Sequence, residues 1–430
     1  MRTLPLGVER STFYCRSFMR TIVINTGTEL LLGDVENAHL TFIAREILPL
    51  RLRIDEQRTV PDGAAIQSTL AELFSRAEIV FVTGGLGPTT DDVTREIVAE
   101  LLGLKLEQNA ELLASLQHRL KSRGIKWTSR IARQADVPTG AVILPNENGS
   151  APGLYLKANI NSQTSSPHLF LLPGPPRELQ PMFRKSVMSI LRAIVKNPEA
   201  LDRRIYRVAC LGESIIEEAI GEKVLAIEGI ELGYCARPGE VDVRIMGESD
   251  GVTRADAIIR DELGLSIFST NDETLEEVLV KLLAERKETI AVAESCTGGL
   301  LAHRMTNVPG ASEVFVAGYV AYANAAKIDM LEVDPKLIEK HGAVSEPVAW
   351  AMAKGARKRA RSTYALATSG IAGPSGGSPE KPVGTAYIAL ASPDEDSMVR
   401  KLFFPTDRET FKDLITQAAF DLLRKKLLSK

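Results

Sequence analysis

Along this chain a short apolar or β-branched run repeatedly ends in a glycine-bearing loop and passes into a helical pattern, and this recurring order restricts the fold more than any other feature. Thr21 to Asn25 (TIVIN) leads into TGTELLLG and then a helical stretch through Leu48, with Asn37 as its N-cap. Glu78 to Val82 (EIVFV) leads into TGGLGPTTDD and the helical VTREIVAELLG, closed by Gly103. His168 to Leu172 (HLFLL) runs into PGPPRELQPM and a helix toward Val195, and TIAVA runs into ESCTGG and LLAHRMTNV. Strands that alternate with helices form parallel sheets covered on both faces, and such sheets bind ligands beyond the C-terminal ends of their strands. An α/β fold is expected.

The 430 residues exceed one compact core and suit two or three domains. Residues 1–19 are arginine-rich, lack the apolar centre of a secretory signal, and read as a disordered extension or a mis-called start. Residues 20–195 then form a three-layer domain built on a parallel sheet. The rhythm changes over 196–271, where a helix around Glu213 to Ile220 and the alternation Val241, Val243, Ile245 indicate a small α+β connecting module. Thr274 to Glu277 (TLEE) has the pattern of a capping box and opens a second α/β domain over 272–430. The polar tract NSQTSS, Asn161 to Ser166, reads as a surface turn between strands.

Composition narrows the function. Hydrophobic residues at 44% and charged residues at 25% are those of an ordinary folded protein, and a net charge of -3 provides no field to concentrate a polyanion. Direct nucleic-acid binding is not expected, and the basic run ARKRAR, Ala356 to Arg361, reads as one solvated face of a helix. Cys15, Cys210, Cys235 and Cys296 stand far apart without zinc-ligand spacing, as in a reducing, cytoplasmic compartment. The apolar stretch Val314 to Ala323 is about half the roughly 20 residues a bilayer requires, so no membrane association is expected.

In AESCTGGLLAHRM, Ser295 lies between a strand and a helix N-terminus, where open backbone N–H groups can hold an oxyanion and Gly298 and Gly299 admit a substrate to the main chain. The spacing alone fits a helix N-cap with packing glycines equally well. A serine nucleophile needs a base. His303 has no Asp or Glu placed to orient it, whereas Lys327, in YANAAK with Tyr322 and Asn324, can serve if desolvation lowers its pKa. A solvated lysine at a helix start is the competing reading, and Cys296 competes as nucleophile. The glycine-rich loop in ALATSGIAGPSGG can offer its backbone amides as an anion-binding nest, although such loops also serve structure alone.

Together AESCTGG, YANAAK, HGAVSEPVA, TSGIAGPSGG and KPVGTAYIA resemble, in order and spacing, the C-terminal domain of the CinA (competence/damage-inducible protein) family, the nicotinamide-nucleotide amidohydrolases. The resemblance implies hydrolysis of nicotinamide mononucleotide to nicotinate mononucleotide and ammonia without a cofactor. It makes Ser295 the nucleophile, Lys327 its base and Tyr322 an assistant. Thr297, Gly298, Gly299, Asn324, Thr368, Ser369, Gly370 and Gly373 become substrate contacts, as does Arg408, although PTDR stands here where GDR is usual.

The N-terminal run TGGLGPTTDD is not a Walker loop, since no Gly-Lys-Ser/Thr follows. Asp91 and Asp92 either complement the dipole of the next helix or hold a divalent cation together with water and substrate oxygens. TGTELLLGDVEN, GGLGPTTDDVTREIVAELLG, APGLYL and LPGPPREL resemble the CinA N-terminal domain, whose fold is that of molybdopterin-binding proteins. This second resemblance implies cleavage of ADP-ribose and related pyrophosphates with Mg, Mn or Co. It points to Glu29, Asp34, Thr83, Gly84, Gly85 and Gly87 as site residues and to Asp91 and Asp92 as metal ligands, with one departure at NAHLTF after Glu36. A homodimer acting on small nucleotides is expected. The alternatives are a pyrophosphatase with an inactive C-terminal domain and a non-catalytic nucleotide-binding accessory of competence.

Overall fold

The computed structural model describes residues 19–122, 124, 126–159, 166–195, 202–394 and 398–429. The extension before residue 19 and the tract NSQTSS up to residue 165 lie outside these. The chain divides into two compact units, 1–201 and 202–430.

In the first unit the strands are β1 (Thr21–Thr26), β2 (Ile54–Val60), β3 (Ile79–Thr83), β4 (Leu106–Gln108), β5 (Asp136–Pro138), β6 (Val142–Leu144), β7 (Gly153–Leu156) and β8 (His168–Leu172). Six of them form one sheet in the order β2-β1-β3-β8-β7-β6, while β4 and β5 pair separately. β2, β1, β3 and β8 are parallel; β7 and β6 add antiparallel to the edge. The central strands carry apolar residues on both faces because both are covered. Ile22, Ile24, Val80, Val82, Leu169 and Leu171 pack into one core, and Val23, Ile79, Phe81, Phe170 and Leu172 into the other.

Two local expectations are corrected. Five residues of the first loop, Thr28–Leu32, form a short helix with no buried side chain. The next helix is His39–Ile47, and Ala38, not Asn37, is its N-cap. Asn37 lies just before it, where its Oδ1 accepts from His39 N at 3.2 Å and its side-chain amide donates to Asn25 Oδ1 at 2.9 Å.

The second unit opens with β9 (Asp202–Ala209), β10 (Glu231–Arg237), β11 (Glu240–Gly247) and β12 (Ile267–Ser269), an antiparallel sheet in the order β10-β11-β9-β12. Helices Glu213–Leu225 and Ser249–Leu263 pack on it through Ile216, Ile220, Val252 and Ile259. Thr274 then caps helix Leu275–Arg286 with the full reciprocal capping box to Glu277.

The second sheet of this unit has the order β14-β13-β15-β16-β17 and comprises β13 (Ile290–Glu294), β14 (Phe315–Val320), β15 (Tyr364–Gly370), β16 (Thr385–Ala391) and β17 (Met398–Phe403). β14, β13 and β15 are parallel, so the loops that leave them emerge along one edge. β16 and β17 continue antiparallel. One face is lined with small residues, Ala291, Ala293, Ala365, Ala367 and Ala389, which let helix Glu346–Ala360 approach closely. The other face packs larger side chains beneath helices Leu275–Arg286, Leu300–Thr306 and Arg408–Leu428.

Candidate active sites

Three loops from the parallel strands of the second sheet converge on Ser295. β13 ends at Glu294, so Ser295 begins the turn that precedes helix Leu300–Thr306, and its N–H donates to Thr368 O on β15 at 2.9 Å. Lys327 lies in helix Asn324–Leu331, which follows β14. Its side chain is only 1% exposed, and Nζ stands 3.0 Å from Ser295 Oγ and 2.9 Å from the carbonyl oxygens of both Ala321 and Tyr322. Burial lowers the Lys327 pKa from the ordinary lysine value, and neighbouring Cys296 opposes this only in part.

These contacts orient the amine. A neutral lysine has two N–H bonds and one lone pair. In the neutral form the two carbonyls would accept both N–H bonds and leave the lone pair facing the Ser295 hydroxyl, whereas an ammonium donates to all three oxygens. The arrangement is competent for removing the hydroxyl proton.

Cys296, the rival nucleophile, points into the apolar core and is 5% exposed. Burial pushes its thiol up to about 12. His303 is exposed, and its ring meets Asn307 on the same helix.

The helix terminus differs from expectation. Its amides at Gly299, Leu301 and Ala302 are taken by the buried Glu294 carboxylate at 2.9, 3.1 and 2.9 Å and are therefore closed to a substrate oxyanion. The turn Cys296–Gly298 precedes these amides, and its left-handed Gly298 (φ 61°) faces open space. Thr297 is fully buried and serves the frame: its hydroxyl donates to Glu294 Oε2 at 2.7 Å and lies 2.7 Å from Thr368 Oγ1. Sequence reasoning passed over Glu294, although it adjoins Ser295.

Tyr322 contributes its backbone to Lys327, while its ring is 60% exposed and its hydroxyl accepts from Arg408 Nη2 at 2.9 Å. Arg408, the first residue of the last helix, also donates to Gly373 O at 3.0 Å. Arg408 thus links the β14 and β15 loops. Asn324 is exposed at its helix start, and Gly370 ends β15. Ser369 instead ties its hydroxyl to Ala343 O at 2.7 Å.

In the first unit a cavity of about 340 Å³ opens beyond the C-terminal ends of β1, β3 and β8. It is lined by Glu29, Gly84, Gly85, Gly87, Asp91 and Asp92, and also by Asp62, Gln134, Ser150 and Glu178, which the sequence did not single out. Two expected residues lie elsewhere. Asp34 is exposed on the turn after the short helix, and Thr83 is buried, accepting Asn25 Nδ2 at 2.8 Å. Gly85 is required for packing, since a Cβ there would stand 2.1 Å from Thr94 Oγ1.

Asp91 and Asp92 both line the cavity, and a hydrogen bond from Thr89 holds the Asp91 carboxyl below the usual carboxylate range. Asp92 Oδ2 turns back to accept the hydroxyl and the backbone N–H of Thr89. Asp62 is the carboxylate that feels the others: burial raises its pKa, the Thr28 N–H lowers it, and the charges of Glu29 and Asp91 raise it again. Among the described residues no Lys, Arg or His lines the cavity, so an anionic ligand has to bring a counter-charge. Among the described residues no three His, Cys, Asp or Glu side chains are grouped to cage a metal ion. The donor set fits a hydrated divalent ion held by one or two carboxylates, with ligand oxygens completing its shell.

Among the described residues no helix is long and apolar enough to cross a membrane. Residues 22–193 match the probable molybdopterin binding domain, 203–263 the damage-inducible protein CinA KH domain, and 272–427 the CinA C-terminal domain. A CinA-like protein of Akkermansia muciniphila is 41% identical over 93% of this chain and 96% of its own length. A putative competence-damage inducible protein of Caldicellulosiruptor bescii is 38% identical over 94% of this chain and 98% of its own. The crystal structure of competence/damage inducible protein CihA from Agrobacterium tumefaciens is 35% identical over 37% of this chain and 98% of that one, with a TM-score of 0.35. Matched to the Akkermansia and Caldicellulosiruptor relatives over more than nine-tenths of both chains, the chain belongs to the CinA family.

Proposed function

We propose that the second unit hydrolyses the carboxamide of nicotinamide mononucleotide, giving nicotinate mononucleotide and ammonia. The observation that supports this most is the buried Lys327 amine, held by two carbonyls with its free side toward Ser295 Oγ. In this reading Ser295 Oγ attacks the amide carbon while its proton passes to Lys327 Nζ. The turn around Gly298 receives the oxyanion. The carbon–nitrogen bond then breaks, Lys327 returns the proton to the departing nitrogen, and ammonia leaves an acyl ester on Ser295. Water, deprotonated by Lys327, cleaves the ester, and the proton returns to Ser295. Protons balance over the cycle and no cofactor is consumed.

For the first unit the proposal is cleavage of the pyrophosphate in ADP-ribose or a related nucleotide. A divalent ion, when bound, would offset phosphate charge and polarise the bond to be cleaved. One or two of Asp91, Asp62 and Glu29 would hold it; Asp92 shapes the loop through Thr89. Incubating the full chain with each nucleotide, with and without a chelator, tests both readings. Ammonia release that survives chelation and ADP-ribose cleavage that does not are the expected results. Absence of nicotinate mononucleotide under every condition rejects the first.

A further inference from the structure

Glu294 is a fully buried carboxylate that, among the described residues, forms no ion pair. A charge in such a place is costly unless hydrogen bonds replace its water. Four donors do so: the Thr297 hydroxyl and the amides of Gly299 and Leu301 on Oε2, and the Ala302 amide on Oε1. We infer that Glu294 is the positioning residue for the nucleophile, clamping the turn that carries Ser295 so that its hydroxyl meets Lys327. This rests on the reading of Ser295 as nucleophile.

Proton counting extends the clamp to the neighbouring strand. Thr297 has one hydroxyl proton, and it goes to a carboxylate that can only accept. The 2.7 Å contact between the two threonine hydroxyls is therefore donated by Thr368. Thr368 also accepts the Ser295 N–H through its carbonyl, so the same residue is fixed at both ends. Ser295 is held from one side by the peptide link to Glu294 and from the other by β15. Neither partner touches the Lys327 amine, which is oriented separately by Ala321 and Tyr322. The clamp sets where the hydroxyl is; burial sets how basic the lysine is.

A test on the full chain compares Glu294→Gln, Glu294→Ala, Thr297→Val and Thr297→Ser. The best-placed glutamine keeps the Oε2 bonds but turns its NH2 toward the Ala302 amide, whereas alanine leaves all four donors open. Expected are kcat losses of roughly 10-fold for Glu294→Gln and on the order of 10²-fold for Glu294→Ala, the size associated with a misplaced reacting group. KM for nicotinamide mononucleotide and the pH midpoint of kcat/KM should stay at wild-type values. Covalent labelling of Ser295 by diisopropyl fluorophosphate, read by mass, should slow in parallel with kcat. Thr297→Val should act in the same direction and Thr297→Ser restore the rate, which keeps the test alive if the Glu294 variants do not fold. Wild-type kcat in folded Glu294→Gln and Thr297→Val overturns the inference, as does a shifted pH midpoint with an unchanged labelling rate. A still-active Ser295→Ala variant would instead reject the proposed nucleophile itself.

Discussion

Lys327 Nζ stands 3.0 Å from Ser295 Oγ, although 32 positions separate the two residues in the chain. Parallel strands β13 and β14 bring them together, since each residue follows the C-terminal end of one strand. If the pair is nucleophile and base, Ser295→Ala should abolish ammonia release and Lys327→Met should cost roughly 10² to 10⁴-fold in turnover. Both variants should remain folded, each with one cooperative thermal transition. A Lys327→Met enzyme within a few-fold of wild type would assign the proton to another group.

The lowered pKa of Lys327 gives the pH dependence a sign. The amine accepts a proton only when neutral, so kcat/KM should rise with pH through a single ionisation below the unperturbed lysine value of about 10.4. Stability follows the same direction. The unfolded chain holds this proton to higher pH than the folded one, so acidification from about pH 10 toward the folded pKa favours unfolding. Lys327→Met should flatten that part of a stability-against-pH curve measured by urea unfolding.

Cys296 should be dispensable. Its thiol is buried and pushed up to about 12, so native protein treated with iodoacetamide at pH 8 should stay unmodified there. Modification at the exposed Cys235 serves as the internal control. Cys296→Ala should keep turnover within a few-fold. Rapid loss of activity on alkylation at Cys296 would reopen the choice of nucleophile.

Much of this site was legible in the sequence because the chemistry is local. A serine at a strand-to-helix turn, a lysine after the next strand and glycine loops from parallel strands necessarily share one sheet edge. The capping box at Thr274 is local for the same reason. What escaped depended on where side chains turn. Glu294 and Ser295 are neighbours, yet whether a carboxylate folds back onto the next helix is decided by the left-handed Gly298 and Gly299, not by composition. Asp62 and Gln134 reach the N-terminal cavity from distant segments, which spacing along the chain does not reveal. The antiparallel β7 and β6 were likewise hidden within a parallel rhythm.

Packing supplies a stability test away from either site. Helix Glu346–Ala360 crosses so close to Leu331 that a Cβ on Gly355 would lie 1.9 Å from the Leu331 carbonyl oxygen. Alanine normally favours a helix by about 1 kcal/mol over glycine. Here the backbone contact opposes that gain, and overpacking typically costs about 1 to 3 kcal/mol. Gly355→Ala should therefore lower the urea midpoint, whereas Ala360→Gly, at the helix end, should have only a small effect. A stabilised Gly355→Ala variant would mean that the helix can move outward freely.

The N-terminal carboxylates separate into two kinds. Asp92 accepts from Thr89, and burial together with the charges of Glu29 and Asp91 raises the proton affinity of Asp62, whereas a hydrogen bond from Thr89 lowers that of Asp91. If the cavity takes a pyrophosphate with a divalent ion, Asp62→Asn and Asp91→Asn should weaken Mn binding measured by calorimetry in the presence of ADP-ribose. Asp92→Asn should act differently, loosening the Thr89 turn and lowering thermal stability more than metal affinity. None of the three should change ammonia release, since the proposed amidohydrolase residues lie within 202–430. Equal loss of both activities in Asp91→Asn would show that the two reactions do not run on separate sites. Unchanged Mn affinity in both Asp62→Asn and Asp91→Asn would remove the cavity as the place where a cation meets its substrate.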